Sequence, residues 1–106
     1  MDPAIERRIL GLIGLGVRAR GAVIGVQQVR DAALRNRLAL AVVAPDASPH
    51  SRAKVVPLLA GRGVALVEGP SAASLGAAVG RESTAAIGIV DVELANGIRE
   101  LVRRKA

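Results

Sequence analysis

The sequence predicts an α/β protein in which one sheet lies between helix layers. Three observations carry this. Apolar runs of helical period alternate with short continuous aliphatic runs along the whole chain. Most of the expected helices begin at a capping residue, in two cases with Pro just inside. Phe, Trp and Tyr are absent. The core is therefore aliphatic, and small side chains suit close packing of helices on a sheet. A chain of 106 residues can bury such a core by itself. It shows no repeat, low-complexity tract or linker, so residues 1–106 are expected to form a single domain.

Asp2-Pro3 starts the first helix, with an acidic cap and Pro at the first helical position. Ile5, Ile9, Leu12, Ile13 and Gly16 recur at spacings of three and four. Gly14, Gly16 and Gly21 weaken and end this helix. Ala22-Val23-Ile24 reads as a short strand, Gly25 breaks it, and a second helix runs from Val26 to Arg35, closed by Asn36. Leu38 to Ala44 is nearly continuous aliphatic, as expected of a strand covered on both faces. Ser48 then caps a third helix with Pro49 at its first position, running to about Ala60 with a bend at Pro57. Val64–Val67 is the third strand. Glu68-Gly69-Pro70-Ser71 is a turn that delivers Ser71 as the cap of a fourth helix, about Ala72–Val79. Ala85–Val90 is the fourth strand. Val92 to about Arg104 is the last helix, with a basic end that complements its dipole.

The composition excludes several function classes. Without cysteine there is no disulfide, thiolate metal site or thiol nucleophile. One His does not make a zinc site, and we expect no metal and no cofactor. The N-terminus lacks the pattern of a signal peptide. Ile9–Val17, the longest apolar run, is about half a membrane span. The expectation is a soluble cytoplasmic protein without membrane contact. The net charge of +6 is unevenly placed: residues 1–62 hold ten Lys and Arg against four acids, whereas residues 63–106 hold five of each. Arg18, Arg20, Arg30, Arg35 and Arg37 are the densest group, with Asp31 the only acid among them. A one-sided basic surface is the footprint of a polyanionic partner, although such surfaces also serve solubility.

Each local motif has a plain structural reading beside the functional one. Gly11, Gly14 and Gly16 suggest a nucleotide loop, but they lie in a helix with no strand before them, and close helix packing explains them better. His50, beside Ser51, is expected on the surface of a helix's first turn, with Asp46 as a capping acid. Asp91 and Glu93 also read as caps, because they stand without a base, metal ligands or a phosphate loop. Val23 to Arg30 is the most informative segment. There a strand passes through Gly25 directly into a helix whose first turn carries Gln27 and Gln28. The exposed amides of such a turn bind phosphate, and Gln side chains read base edges. We expect Arg18, Arg20 and Arg30 to surround that tip. Without aromatic rings the chain cannot stack single-stranded bases, so a folded RNA fits better.

The order of elements and the Ile24-Gly25-Val26-Gln27-Gln28 turn resemble the kink-turn-binding ribosomal-protein superfamily, of L-seven-Ae and L-thirty-e type, and especially its YlxQ-like bacterial members. The likeness covers nearly the whole chain: Leu15 to Gly25, Ala44-Pro45-Asp46-Ala47-Ser48, Val67 to Ser71, and Leu75-Gly76. It implies a three-layer α-β-α sandwich with a four-stranded mixed sheet, of L-thirty-e-like fold, that grips a kink-turn at its tandem G·A pairs. Carried over by position, the contacts are Gly25, Val26, Gln27 and Gln28, with Pro70 and Ser71 from the loop before the fourth helix. Five positions depart from the pattern. Gln27-Gln28 stand where Asn-Glu is common, Asp31 where a Lys is usual, Gly69 in place of an apolar residue, and Pro45 in place of an acid.

The expected function is therefore non-catalytic recognition of structured RNA by a monomer. Kink-turns are the expected motif, with ribosomal RNA and the ribosome among the expected partners. The alternative is a protein-interaction module on the same fold that has lost RNA binding, which Asp31 and Gly69 favour. An enzymatic reading ranks third, since no acid/base constellation is found.

Overall fold

Asp2 starts the first helix as a cap: the Ala4 amide donates to its carboxylate at 2.7 Å, with Pro3 in the first turn. The computed structural model describes residues 1–104. The order is α1 (Pro3–Arg18), β1 (Ala22–Ile24), α2 (Val26–Leu34), β2 (Leu40–Val43), α3 (Pro49–Gly61), β3 (Ala65–Glu68), α4 (Ala72–Ala78), β4 (Ala86–Ile89) and α5 (Val92–Arg103). Every element stands where it is predicted, with ends moved by one or two residues. Ser48, Ser71 and Asp91 cap α3, α4 and α5, each accepting from the amide three residues on, at 3.0, 3.2 and 3.0 Å. The helix α3 continues through Pro57.

The sheet is mixed, in the order β1-β4-β2-β3. β4 runs antiparallel to both β1 and β2, and β2 is parallel to β3. Strands alternate their side chains between faces, and β2 shows the result. Leu40 and Val42 join Ile9, Ile13, Leu75, Ile87, Ile89 and Ile98 in the larger core, beneath α1, α4 and α5. Ala41 and Val43 join Val29, Ala33, Val55 and Leu59 in the smaller core, beneath α2 and α3. All four β2 residues are buried, as both-face coverage requires. Gly88 in β4 leaves room for the side chains of Leu38 and Val23, since a Cβ there would lie 2.7 Å from Leu38 Cδ2 and 3.0 Å from Val23 Cγ2, with Val29 Cγ2 of α2 at 3.4 Å.

This topology decides what meets at each end of the sheet. β1, β2 and β3 point the same way, so their carboxyl ends and the N-termini of α2, α3 and α4 share one end with the start of β4. Ligand sites in open α/β sheets lie at such carboxyl ends. The opposite end collects the α1–β1 connection and the C-terminus of α2.

Candidate functional site

Two segments far apart in sequence are joined at the carboxyl end of the sheet through the start of β4. The Gly25 amide donates to the Ala86 carbonyl at 2.9 Å, and the Thr84 amide donates to the Ala72 carbonyl at 3.1 Å. The tip of α2 and the tip of α4 therefore flank the short stretch Thr84–Ala86. The loop before α3 is tied in as well, because the Ala72 amide donates to Asp46 Oδ1 at 2.8 Å. Asp46 is thus a cap, but for α4, while Ser48 serves α3. Arg52 braces the same loops. It donates to both carboxylate oxygens of Glu68 at 2.8 and 2.6 Å and to the Ala44 carbonyl at 3.0 Å. The hydrogen bonds from Arg52 hold Glu68 below the usual carboxylate range against the opposing effect of burial, with the guanidinium charge adding to the lowering.

The helix tips at this end differ in one respect. α3 and α4 are closed by serine hydroxyls, whereas α2 has Gly25 as its N-cap and no side-chain cap. An α-helix leaves its first amides without intrahelical partners. Val29 is the first residue of α2 to bond back, to the Gly25 carbonyl at 3.0 Å, so the amides of Val26, Gln27 and Gln28 have no partner among the described residues. Gly25 has φ 94° and ψ 161°, a conformation essentially restricted to glycine. Nothing lies within 4 Å of where its Cβ would stand, so the glycine answers the backbone turn and leaves open space above the tip.

The two glutamines are exposed but not equivalent. Gln27 Nε2 donates to Asp31 Oδ1 at 3.0 Å, one turn along α2. A carboxylate only accepts, so Asp31 fixes the amide with its oxygen turned away as a free acceptor. The residue that departs from the family pattern therefore has a local role. The Gln28 side chain has no hydrogen-bond partner among the described residues.

The arginines are not arranged as the sequence suggests. Arg18 and Arg20 do not ring the α2 tip. They precede β1 and Gly25 follows it, and four intervening residues of extended chain span about 13 Å. The Arg18 guanidinium lies back along α1 beside Gly14. Arg30 is one turn into α2, and its guanidinium crosses to the Lys54 carbonyl of α3. It remains within a turn of the tip, but it is partly buried and engaged. Arg20 instead meets Arg35 and Arg37 at the C-terminal end of α2, around a groove that sequence reading did not anticipate. In the second loop Pro70 is buried beside Gly69, so its ring shapes the loop and is not offered to a ligand. The half-buried Ser71 hydroxyl is engaged with Ser74.

Of the remaining motifs, His50 is exposed in the first turn of α3 and Asp91 caps α5, as read from the sequence. Gly16 and Gly14 do serve close packing, against Leu94 and the Ala78 carbonyl, but Gly11 has open space around it. Among the described residues no group of three or more His, Cys, Asp or Glu could hold a metal ion, and no helix is long and apolar enough to cross a membrane.

Comparison with known proteins places this architecture. The chain is similar in structure to a protein of unknown function from Bacillus halodurans, with 25% identity and a TM-score of 0.82, covering 91% of this chain and 97% of the other. It is also similar to the Giardia lamblia 15.5kD RNA binding protein, with 21% identity and a TM-score of 0.81, covering 98% and 89%. No curated protein sequence matches it. A family model matches residues 7–98, and the chain belongs to the ribosomal protein L7Ae/L30e/S12e/Gadd45 family.

Proposed function

We propose that this chain is a non-catalytic RNA-binding protein that docks a kink-turn on the open tip of α2. One observation carries the reading: the α2 tip presents three unpartnered backbone amides under open space, next to a Gln27 amide whose orientation Asp31 fixes. Such a tip attracts phosphate through its amides and the helix dipole. Gln27 and Gln28 supply the hydrogen-bonding groups that distinguish base edges, with Gly25 and Val26 as the backbone platform. Pro70 and Ser71 contribute by shaping the neighbouring loop, which the Thr84 and Asp46 hydrogen bonds hold beside the first. Family membership and the likeness to an RNA-binding protein support the same conclusion. A ribosome-associated, YlxQ-like monomer working in the cytoplasm is the biological setting that fits it.

The test is a titration at fixed salt against a kink-turn RNA and the same RNA with its tandem G·A pairs replaced by Watson–Crick pairs. The expected result is markedly tighter binding of the bent form. Equal affinity for the two RNAs would overturn kink-turn recognition. Exposed Leu15 and Val92, 55% and 63% accessible on the α1 and α5 side, favour a second reading in which the fold docks a protein. That reading gains if neither RNA binds and the protein purifies with a stable partner.

A further inference from the structure

We propose that the groove at the far end of α2, walled by Arg20, Arg35 and Arg37, is a second phosphate-backbone site along which RNA continues from the α2 tip. The inference rests on the RNA-binding reading above and extends it to a surface remote from the bend. The groove has a volume of about 310 Å³ and an apolar floor of Val23, Ala32 and Val90. Its three guanidinium groups come from two different connections, the one before β1 and the one after α2.

Several features mark this as a built cationic surface. Among the described residues the Arg52–Glu68 contact is the ion pair within 4.0 Å, and none of the three groove arginines takes part in one or donates a side-chain hydrogen bond. The neutralising work at the C-terminus of α2 is done by another residue: Arg62 crosses from α3 to the Asn36 side chain at 3.0 Å and the Leu34 carbonyl at 3.4 Å. Arg35 and Arg37 are left exposed to solvent. Arg20 has φ 62°, a left-handed turn that glycine adopts without strain, yet Arg occupies it. The residue type there is better explained by what its side chain meets than by the turn.

The groove and the tip are continuous. Gln28 belongs to the first turn of α2 and also lines the groove. Gln28, Asp31, Ala32 and Arg35 recur at three- and four-residue spacing and so share one helix face. From Gln28 to Arg35 the helix rises about 10 Å at 1.5 Å per residue. That is roughly three steps of a nucleic-acid strand at about 3.4 Å each. A strand whose phosphate sits on the tip therefore reaches the arginines within a few nucleotides. Among the described residues Asp31 is the one carboxylate lining the groove, and its bond from Gln27 draws it toward the tip. The periodic charge of a phosphate backbone suits three cations spread along a wall, which favours RNA over an acidic peptide.

The test uses the full chain and two RNAs carrying the same bend, one whose stems stop after two base pairs, short of the groove, and one with both stems lengthened by a full helical turn. The probes are the wild type and the double variant Arg35→Gln, Arg37→Gln, whose exposed positions leave the core intact. For the wild type, the long-stem RNA is expected to bind at least tenfold tighter. Its log–log salt slope should be steeper by about two to three, at roughly 0.7–0.9 per phosphate contact. The double variant should lose about two of that slope on the long RNA and bind the short RNA as the wild type does. Equal binding of both RNAs by the wild type, or equal loss on both by the variant, overturns the groove while leaving the tip in place. Binding of neither RNA overturns both readings. A polyglutamate peptide that binds wild type but not the variant, with no stem-length effect, assigns the groove to an acidic protein instead.

Discussion

Replacing Gly76 by Ala tests the joint that aligns the two tips. Gly76 lies in the middle of α4, where alanine is ordinarily favoured over glycine by about 1 kcal/mol. Here a Cβ would stand 2.5 Å from Ser83 Cα, 2.6 Å from Ser83 N and 2.9 Å from the Arg81 carbonyl oxygen. These are backbone atoms, which do not swing aside as a side chain does. The Arg81–Ser83 segment would have to retreat by nearly 1 Å. It leads directly into Thr84, whose amide bonds to Ala72. Overpacking of this kind costs about 1–3 kcal/mol, and the backbone contacts place it at the upper end, outweighing the helix gain. For a domain of this size the Tm should fall by on the order of 10 °C. Gly11→Ala is the matched control, since that glycine sits in α1 with nothing within 4 Å of its Cβ position. It should raise stability by about 0.5–1 kcal/mol. Thermal and urea unfolding of the two variants give opposite signs if the packing is as described. A Gly76→Ala protein that melts with or above the wild type would refute the close approach of α4 to the chain leading into β4.

Gly25→Ala meets no atom but forces a side chain into a backbone conformation suited to glycine, so about 1–3 kcal/mol of stability should be lost in urea titration. An unchanged midpoint would show that the strand–helix turn is built differently. Glu68→Gln removes one half of an ion pair whose carboxylate is 48% exposed, and solvent screening limits its worth to about 0.2–1 kcal/mol at neutral pH. Because Arg52 lowers the folded pKa of Glu68, the stabilisation is complete above the unfolded value of about 4.3 and is lost as pH falls through the folded one. The gap between wild type and variant should therefore close in acid, and a gap that widens below pH ~4 would contradict the sign.

The fold was legible because each element carries its own punctuation. Asp2-Pro3, Ser48-Pro49, Ser71 and Asp91 are read as caps, and each holds its helix by the bond that reading requires. The main overreach is at β2, where the apolar run Leu38–Ala44 exceeds the strand Leu40–Val43. Burial, not pairing in the ladder, keeps Leu38 apolar: its side chain lies over Gly88. The site was less legible because proximity in sequence is a poor guide across a strand. Arg18 and Arg20 stand close to Gly25 in number, yet β1 carries them to the opposite end of the sheet. Arg35 and Arg37, distant in number from Arg20, come to it because α2 runs back along the sheet. The helical spacing of Gln28, Asp31 and Arg35 was the available signal. Nothing local announced that Asp46 would cap a helix 26 residues away, or that Pro70 would be buried, because both depend on how the loops of three strands meet.

Asp31 offers the sharpest separation of charge from geometry. Its carboxylate lies one turn from the α2 tip, about 5 Å along the axis. A phosphate on that tip, some 6–8 Å away, would be repelled by roughly 0.5–0.7 kcal/mol in a solvent-like dielectric. The same carboxylate holds the Gln27 amide at 3.0 Å. Asp31→Asn deletes the charge and keeps an oxygen that can accept from Gln27, whereas Asp31→Ala deletes both. Both variants should therefore bind any RNA about two- to threefold more tightly at low salt, and that gain should fade as salt is raised. Only Asp31→Ala should also narrow the difference between the bent RNA and its Watson–Crick control, because Gln27 then turns freely before it meets a base. Affinity ratios for the two RNAs, measured across a salt series, separate the effects. If Asp31→Asn narrowed discrimination as much as Asp31→Ala, the carboxylate would act by its charge alone, and the orientation of Gln27 would have no part in recognition.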